Sequence, residues 1–350
     1  MIHKKILNYL LLTILPLLIF IPSYQVLAAE EGAGFNVQAV LPESQLDSGN
    51  TYFDLNLQPG KKETLGIDLI NSSDREMNIQ ISAQSAFTNR SGFVEYGKIA
   101  ESYDPSLKYF MDDLIETPEV VTLKPHEKKT VDLTLTMPAE SFKGILAGGI
   151  RIAEVDEKEK DDSNSGEGVA VKNTFSYVIG VVLSNKRDVI VPELELADVY
   201  PDQLNSRNIV TALIQNMYPT FVNQVEAKAK IKREGDEEIF AETQKVGMQI
   251  APNSDFSFPI ELSEGKPFQS GKYTVDMTVK SGEQEWHWIK EFTITAEVAK
   301  KLNEQDVYVE NSIDWKMIGL ISCVFLLLIV VIYLSYRNYQ QTRDSKNEEE

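Results

Sequence analysis

The chain has 350 residues, of which 43% are hydrophobic and 25% charged, and it carries a formal charge of −19 with 34 Lys and Arg against 53 Asp and Glu. That length allows two domains with a core each. A surface this acidic repels nucleic acid and acidic polymers, so neither is expected as a partner. The only cysteine is Cys323, which excludes disulfide pairing within the chain, thiol catalysis upstream of it and Cys-based metal sites.

In chain order, the first element is Met1–Ala28, with Lys4 and Lys5 ahead of an apolar run from Ile6 to Ile21 and small residues at Val26 and Ala28. This pattern predicts a secretory signal peptide cut after Ala28. Strand-like runs follow at Phe35–Leu41, Thr51–Leu57, Thr64–Ile70, Met77–Ser85, Val120–Leu123, Thr130–Met137 and Ile145–Ala153, with turn residues at Pro59-Gly60 and Asn71–Asp74. In Thr130–Met137 the apolar residues Val131, Leu133, Leu135 and Met137 alternate with Thr and Asp, the mark of a half-buried strand. One helix is predicted over Asp104–Ile115. There Leu107, Phe110, Met111 and Leu114 repeat at helical spacing behind an Asp104 N-cap and Pro105. Gly148-Gly149 reads as a strand position where backbones approach closely. Lys61–Lys62 and Lys128–Lys129 read as solvated turns rather than basic binding patches.

Glu154–Gly168 is charged and aperiodic, and reads as an exposed loop; its oxygen spacing does not match a calcium loop. Val169–Leu183 closes the first domain, expected to span 29–186. A second domain over 187–297 is predicted from strands at Leu194–Tyr200, Asn208–Gln215, Gln224–Arg233, Glu238–Val246, Asp255–Leu262, Gly271–Val279 and Glu285–Ala296. This number of short strands suits an immunoglobulin-like sandwich, with a hairpin around Ser281–Glu283. The expected fold is therefore all-β, two tandem sandwiches. Residues 298–316 read as a polar stalk. Met317–Tyr336 holds twenty uncharged residues, enough to cross about 30 Å of hydrocarbon. Arg337, Arg343 and Lys346 behind it put a tail of residues 337–350 in the cytoplasm.

Chemistry is sparse. Upstream of the apolar C-terminal run, the chain lacks a G-x-S-x-G elbow, an H-E-x-x-H helix and a phosphate loop. His126 follows Pro125 in a turn, and His287 sits between Trp286 and Trp288. Alternation puts Trp286, Trp288, Lys290, Phe292 and Ile294 on one face, read as sandwich core rather than a ligand platform. Carboxylate pairs need no local motif, so a hydrolase stands as a remote alternative. No metal or cofactor is expected.

Several ordered motifs remain. Phe35-x-Val37, Val40-Leu41-Pro42-x-x-Gln45 and Tyr52-Phe53-Asp54-Leu55 open the series. Thr122-Leu123-Lys124-Pro125, Phe142-x-Gly144-Ile145-Leu146-x-Gly148-Gly149-Ile150 and Trp286-x-Trp288-x-Lys290-x-Phe292 follow. Together they resemble the WxL-interacting proteins of Gram-positive bacteria, with Pro125-His126 standing where that family usually has Pro-Gly. The resemblance implies a non-enzymatic, membrane-anchored surface scaffold. Its first domain would bind peptidoglycan and its second WxL-domain proteins; a host-facing adhesin is the alternative. Tyr52 and Phe53 are candidate glycan-stacking residues, although a strand here would turn one of them into the core.

Overall fold

The computed structural model describes residues 34–155, 175–263, 265–309 and 322–337. The first unit contains β1 (Phe35–Val40), β2 (Phe53–Asn56), β3 (Lys62–Asn71), β4 (Met77–Ser85), β5 (Phe87–Thr88) and β6 (Val94–Glu95). These are followed by β7 (Ile115–Glu116), β8 (Val121–Leu123), β9 (Lys128–Thr136), β10 (Leu146–Glu154) and β11 (Ser176–Ser184). One layer runs β1-β3-β9-β7 and the other β2-β11-β10-β4-β8, while β5 and β6 form a small separate hairpin. The pairings are antiparallel except that of β2 with β11. Period-2 alternation turns Leu65, Ile67 and Leu69 of β3 and Leu133 and Leu135 of β9 inward, against Ile79, Ile150, Val181 and Leu183 of the facing layer.

The second unit contains β12 (Leu194–Leu204), β13 (Arg207–Asn216), β14 (Val222–Arg233), β15 (Ile239–Ile250), β16 (Ser254–Glu261), β17 (Gly271–Ser281) and β18 (Gln284–Ile294). Its layers are β12-β13-β16 and β15-β14-β17-β18. All seven strands expected from the sequence form. β17 and β18 turn back through Gly282-Glu283, with Ser281 paired to Gln284 and Gly282 at φ 59°. Trp286, Phe292 and Ile294 enter the core, and Trp288 packs against it. The fold is thus two tandem immunoglobulin-like sandwiches.

The turns that lead into Lys61–Lys62 and Lys128–Lys129 share one geometry. Lys61 N–H donates to Gln58 O and Glu127 N–H to Lys124 O, each at 3.1 Å. Pro59 and Pro125 hold the second position, and Gly60 (φ 69°) and His126 (φ 57°) the third. This is a type II turn, in which the third residue must adopt a positive φ. His126 holds the conformation that Gly60 holds in the first turn.

Two expectations are corrected. The helix predicted over Asp104–Ile115 shrinks to α1, Met111–Leu114. Asp104 is buried and accepts Ser106 N–H at 2.7 Å, and the Ser85 hydroxyl accepts Met111 N–H at 2.9 Å. Turn and side-chain partners thus replace the helical ladder. Leu107, Met111 and Leu114 still bury, which is why their spacing looked helical. The polar stalk begins instead as α2, Ala296–Gln305, capped by Thr295. Ala299 and Leu302 pack on the second core. Asn303 exchanges two hydrogen bonds with the Phe268 backbone, at 2.8 and 2.9 Å. Residues 322–337 are helical with exposed side chains. Among the described residues no helix is long and apolar enough to cross a membrane. The expected signal peptide, most of the acidic loop Glu154–Gly168 and the start of the expected span at 317–321 lie outside the described residues.

Candidate binding cleft

Alternation in β11 points Ile179, Val181 and Leu183 into the core, leaving Val178, Gly180 and Val182 on the outer face of the five-stranded layer. On β10, Gly149 lies directly across from Gly180, so the sheet has a patch without side chains. The chain after β6 uses it. A Cβ on Gly149 would sit 2.6 Å from Tyr96 O, and one on Gly97 would sit 2.4 Å from Val178 Cγ2. The close approach read from Gly148-Gly149 is therefore real. Gly148 faces the opposite way, and a Cβ there would meet Gln84 O at 2.4 Å and the Met111 side chain at 2.8 Å.

Tyr52 leans over the same floor, its Cβ 3.5 Å from where a Gly180 Cβ would stand. From the second sandwich come Phe221 and Gln249, and together these residues enclose a cleft of about 500 Å³ between the sandwiches. Burial pushes the Tyr96 phenol above its ordinary value, and the neighbouring Tyr52 adds to the effect. Two phenols, a phenyl ring and an amide over a flat apolar floor suit a ligand with both flat apolar faces and hydroxyl or amide groups.

The junction that shapes the cleft is polar and, at Thr88, Ala251 and Ser254, buried. Thr88 Oγ1 accepts Ala251 N–H at 2.9 Å, and the Ser254 hydroxyl donates to Ala251 O at 2.9 Å. Thr88 therefore donates its own proton to Ser254 Oγ, 3.0 Å away. Arg90 pairs with Asp202 at 2.8 Å, and Ile145 N–H donates to Pro219 O at 2.9 Å. Ala86, Ala147 and Ala251 pack between these bonds. Satisfied buried groups of this kind favour one relative placement of the two sandwiches.

One contact opposes the junction. Asp104 takes Gln215 Nε2 at 2.5 Å, while burial, and then the Asp104 charge, raise the Asp255 carboxyl above the ordinary carboxylate value. A carboxyl raised on folding favours the folded state below its ordinary pKa and loses that contribution as pH rises through the raised value. At neutral pH Asp255 is therefore a cost. Asp255→Asn is expected to raise the melting temperature slightly at pH 7, with the gain over the parent vanishing as pH approaches about 4. Thermal melts across pH check this, and a variant less stable at pH 7 would refute it.

Tyr52 lies at the cleft, and Phe53 does not: it is fully buried in the first core beside Val181, with no surface to offer a ligand. Tyr96, Phe221 and Gln249 went unnoticed in the sequence, where nothing local marks them; only the paired glycines hinted at a close approach. His126 meets Asp74 at 2.9 Å and His287 meets Asp276 at 2.8 Å, all exposed. Among the described residues, no group of three or more His, Cys, Asp or Glu is placed to hold a metal ion.

Two family models match the chain: WxL Interacting Protein, peptidoglycan binding domain, over residues 35–154, and WxL Interacting Protein, host binding domain, over residues 166–304. The chain belongs to the WxL-interacting protein family. Its two matched regions make it a cell-surface binding protein. The host-binding match starts ahead of β11, yet β11 bonds to β10 and β2 and completes the first sandwich. No curated protein matches. Solved structures with some likeness include a complex from a study of a chaperone and tip adhesin in CFA/I fimbriae biogenesis, at 12% identity and TM-score 0.30 over 73% of this chain and 97% of that one. The E. coli chaperone DraB is 16% identical, with TM-score 0.26 over 74% and 98%. A CsuC–CsuE chaperone–tip adhesion subunit complex of Acinetobacter baumannii is 14% identical, with TM-score 0.29 over 67% and 93%.

Proposed function

We propose that this WxL-interacting protein is a non-enzymatic scaffold, anchored in the membrane by its C-terminal apolar segment. It holds peptidoglycan through the first sandwich and a WxL-domain protein through the second. The observation that carries this reading is the buried polar junction at Thr88, Ala251 and Ser254, beside two adjoining binding-domain matches. A scaffold gains from fixing two binding surfaces relative to each other, because the second binding event then occurs at a high effective concentration. Incubating the full chain with purified wall material and with a WxL-domain protein tests the proposal. Retention of both supports it. Retention of neither, or release of soluble wall fragments, defeats it. The second match is described as a host binding domain, which favours a second reading, a host-facing adhesin. Binding to host matrix proteins without affinity for WxL domains would select it.

Within this reading, Tyr52 stacks on a sugar ring of the wall. Tyr52→Ala is expected to weaken wall binding about 2–10-fold, the scale of one aromatic contact of about 0.5–1.5 kcal/mol, and to leave the melting temperature unchanged. Sedimentation with wall material measures it; undiminished binding removes Tyr52 from the contact surface.

A further inference from the structure

The first sandwich carries an open strand edge. β7 pairs with β9 through Ile115 and Glu116 alone. The chain then reaches Pro118, which has no amide proton to continue a ladder, and crosses to the other layer as β8. β9 is paired along its whole length with β3 on its other side. Asn71 N–H donates to Glu127 O, and Met137 N–H donates to Lys61 O. These bonds fix the phase: odd-numbered residues of β9 bond to β3, and even-numbered residues direct N–H and C=O the other way. Thr134 meets β7 there. Thr130 and Asp132 have no backbone partner among the described residues.

This edge borders a groove of about 710 Å³ whose wall includes Glu116, Val121, Thr122, Lys129, Val131 and Asp132. Val121 and Val131 are buried and face the sandwich interior; Thr130, Asp132 and Glu116 are exposed. Among the described residues neither Asp132 nor Glu116 has an ion-pair partner, and Lys129 is the single cation lining the groove. The neighbouring Lys128 is held by Asp68 at 2.7 Å.

We propose that this edge takes an extended segment of a partner protein as an added strand, with apolar side chains turned inward and basic ones turned outward. Donors and acceptors that repeat at every second residue of a strand match another polypeptide backbone. The inner face asks for small apolar side chains beside Val121 and Val131. The outer face, with Asp132 and Glu116, asks for lysine or arginine. This site is independent of the cleft and of which ligand the cleft holds.

The test uses the full chain and a seven-residue peptide alternating valine and lysine, with a valine–glutamate peptide and a proline-interrupted peptide as controls. Amide hydrogen exchange at Thr130 and Asp132 is expected to slow at least tenfold with saturating valine–lysine peptide and with neither control. Thr130→Pro removes an edge donor without removing a bond to β3, and is expected to weaken the peptide at least tenfold. Asp132→Lys leaves the backbone intact and keeps the result readable should the proline variant fold poorly; it should abolish the preference for lysine over glutamate. Unchanged exchange, equal protection by the proline-interrupted peptide, or protection already present in a dimer of the free protein would each overturn the proposal, the last by giving the edge to a second copy.

Discussion

Gly144→Ala is expected to loosen the two sandwiches from each other at a cost of about 2–4 kcal/mol, among the larger effects of a single substitution. Two independent penalties fall on this position. Gly144 has φ +72°, a conformation that costs an L-residue about 1–2 kcal/mol. Its added Cβ would also lie 2.3 Å from Pro219 O and 2.7 Å from Ile190 Cδ1. A carbonyl oxygen cannot rotate away as a side-chain tip can, so the second sandwich itself must retreat. That retreat would break the adjacent 2.9 Å bond from Ile145 N–H to Pro219 O. Gly60→Ala is the control. It has nearly the same φ, +69°, with nothing within 4 Å of its Cβ, so it should cost only the backbone term. Thermal melts and protease sensitivity of the segment between β11 and β12 separate the two. A Gly144→Ala protein as stable and protease-resistant as Gly60→Ala would refute the account of the junction.

The strands were legible because each half-buried layer writes its burial into the sequence with period two, as Val131, Leu133 and Leu135 do in β9. The seven strands of the second sandwich followed from the same signal. The Asp104–Ile115 segment misled because apolar residues at helical spacing can also bury one by one from an irregular chain. There Ser85 and Asp104 supply the hydrogen bonds that a helix would have supplied internally. The docking of α2 was hidden for a related reason. Of its residues only Ala299 is fully buried, and the helix is held by Asn303, a polar side chain whose partners at Phe268 are far away in sequence. The cleft was the least legible part. Tyr52 and Tyr96 meet over Gly149 and Gly180, and Phe221 arrives from another domain. Long-range pairing makes that arrangement, and no local period encodes it.

Trp286→Ala is expected to destabilise the second sandwich by about 3–5 kcal/mol, the cost of emptying a buried aromatic site. Trp286 is 7% exposed, lies in the core beside Val279 and donates its indole N–H to Glu193 Oε1 at 3.0 Å. On the opposite face of the same strand Ile289 is 67% exposed, so Ile289→Ala should stay within about 0.5 kcal/mol of the parent. The contrast decides between two readings of this aromatic strand. A core face loses stability when truncated, whereas a binding face keeps stability and loses a partner. Lys290 supports the core reading although it is charged. The bulge between Leu196 and Asp198 interrupts the β12–β13 ladder, and Lys290 Nζ donates to Leu196 O at 3.2 Å and to Ala197 O at 2.5 Å. The lysine thus ties β18 to the carbonyls at the bulge and closes the sandwich corner. Circular-dichroism melts of the two alanine variants measure the difference. A Trp286→Ala protein that melts with the parent would move the aromatic face out of the core and make it a surface for a partner.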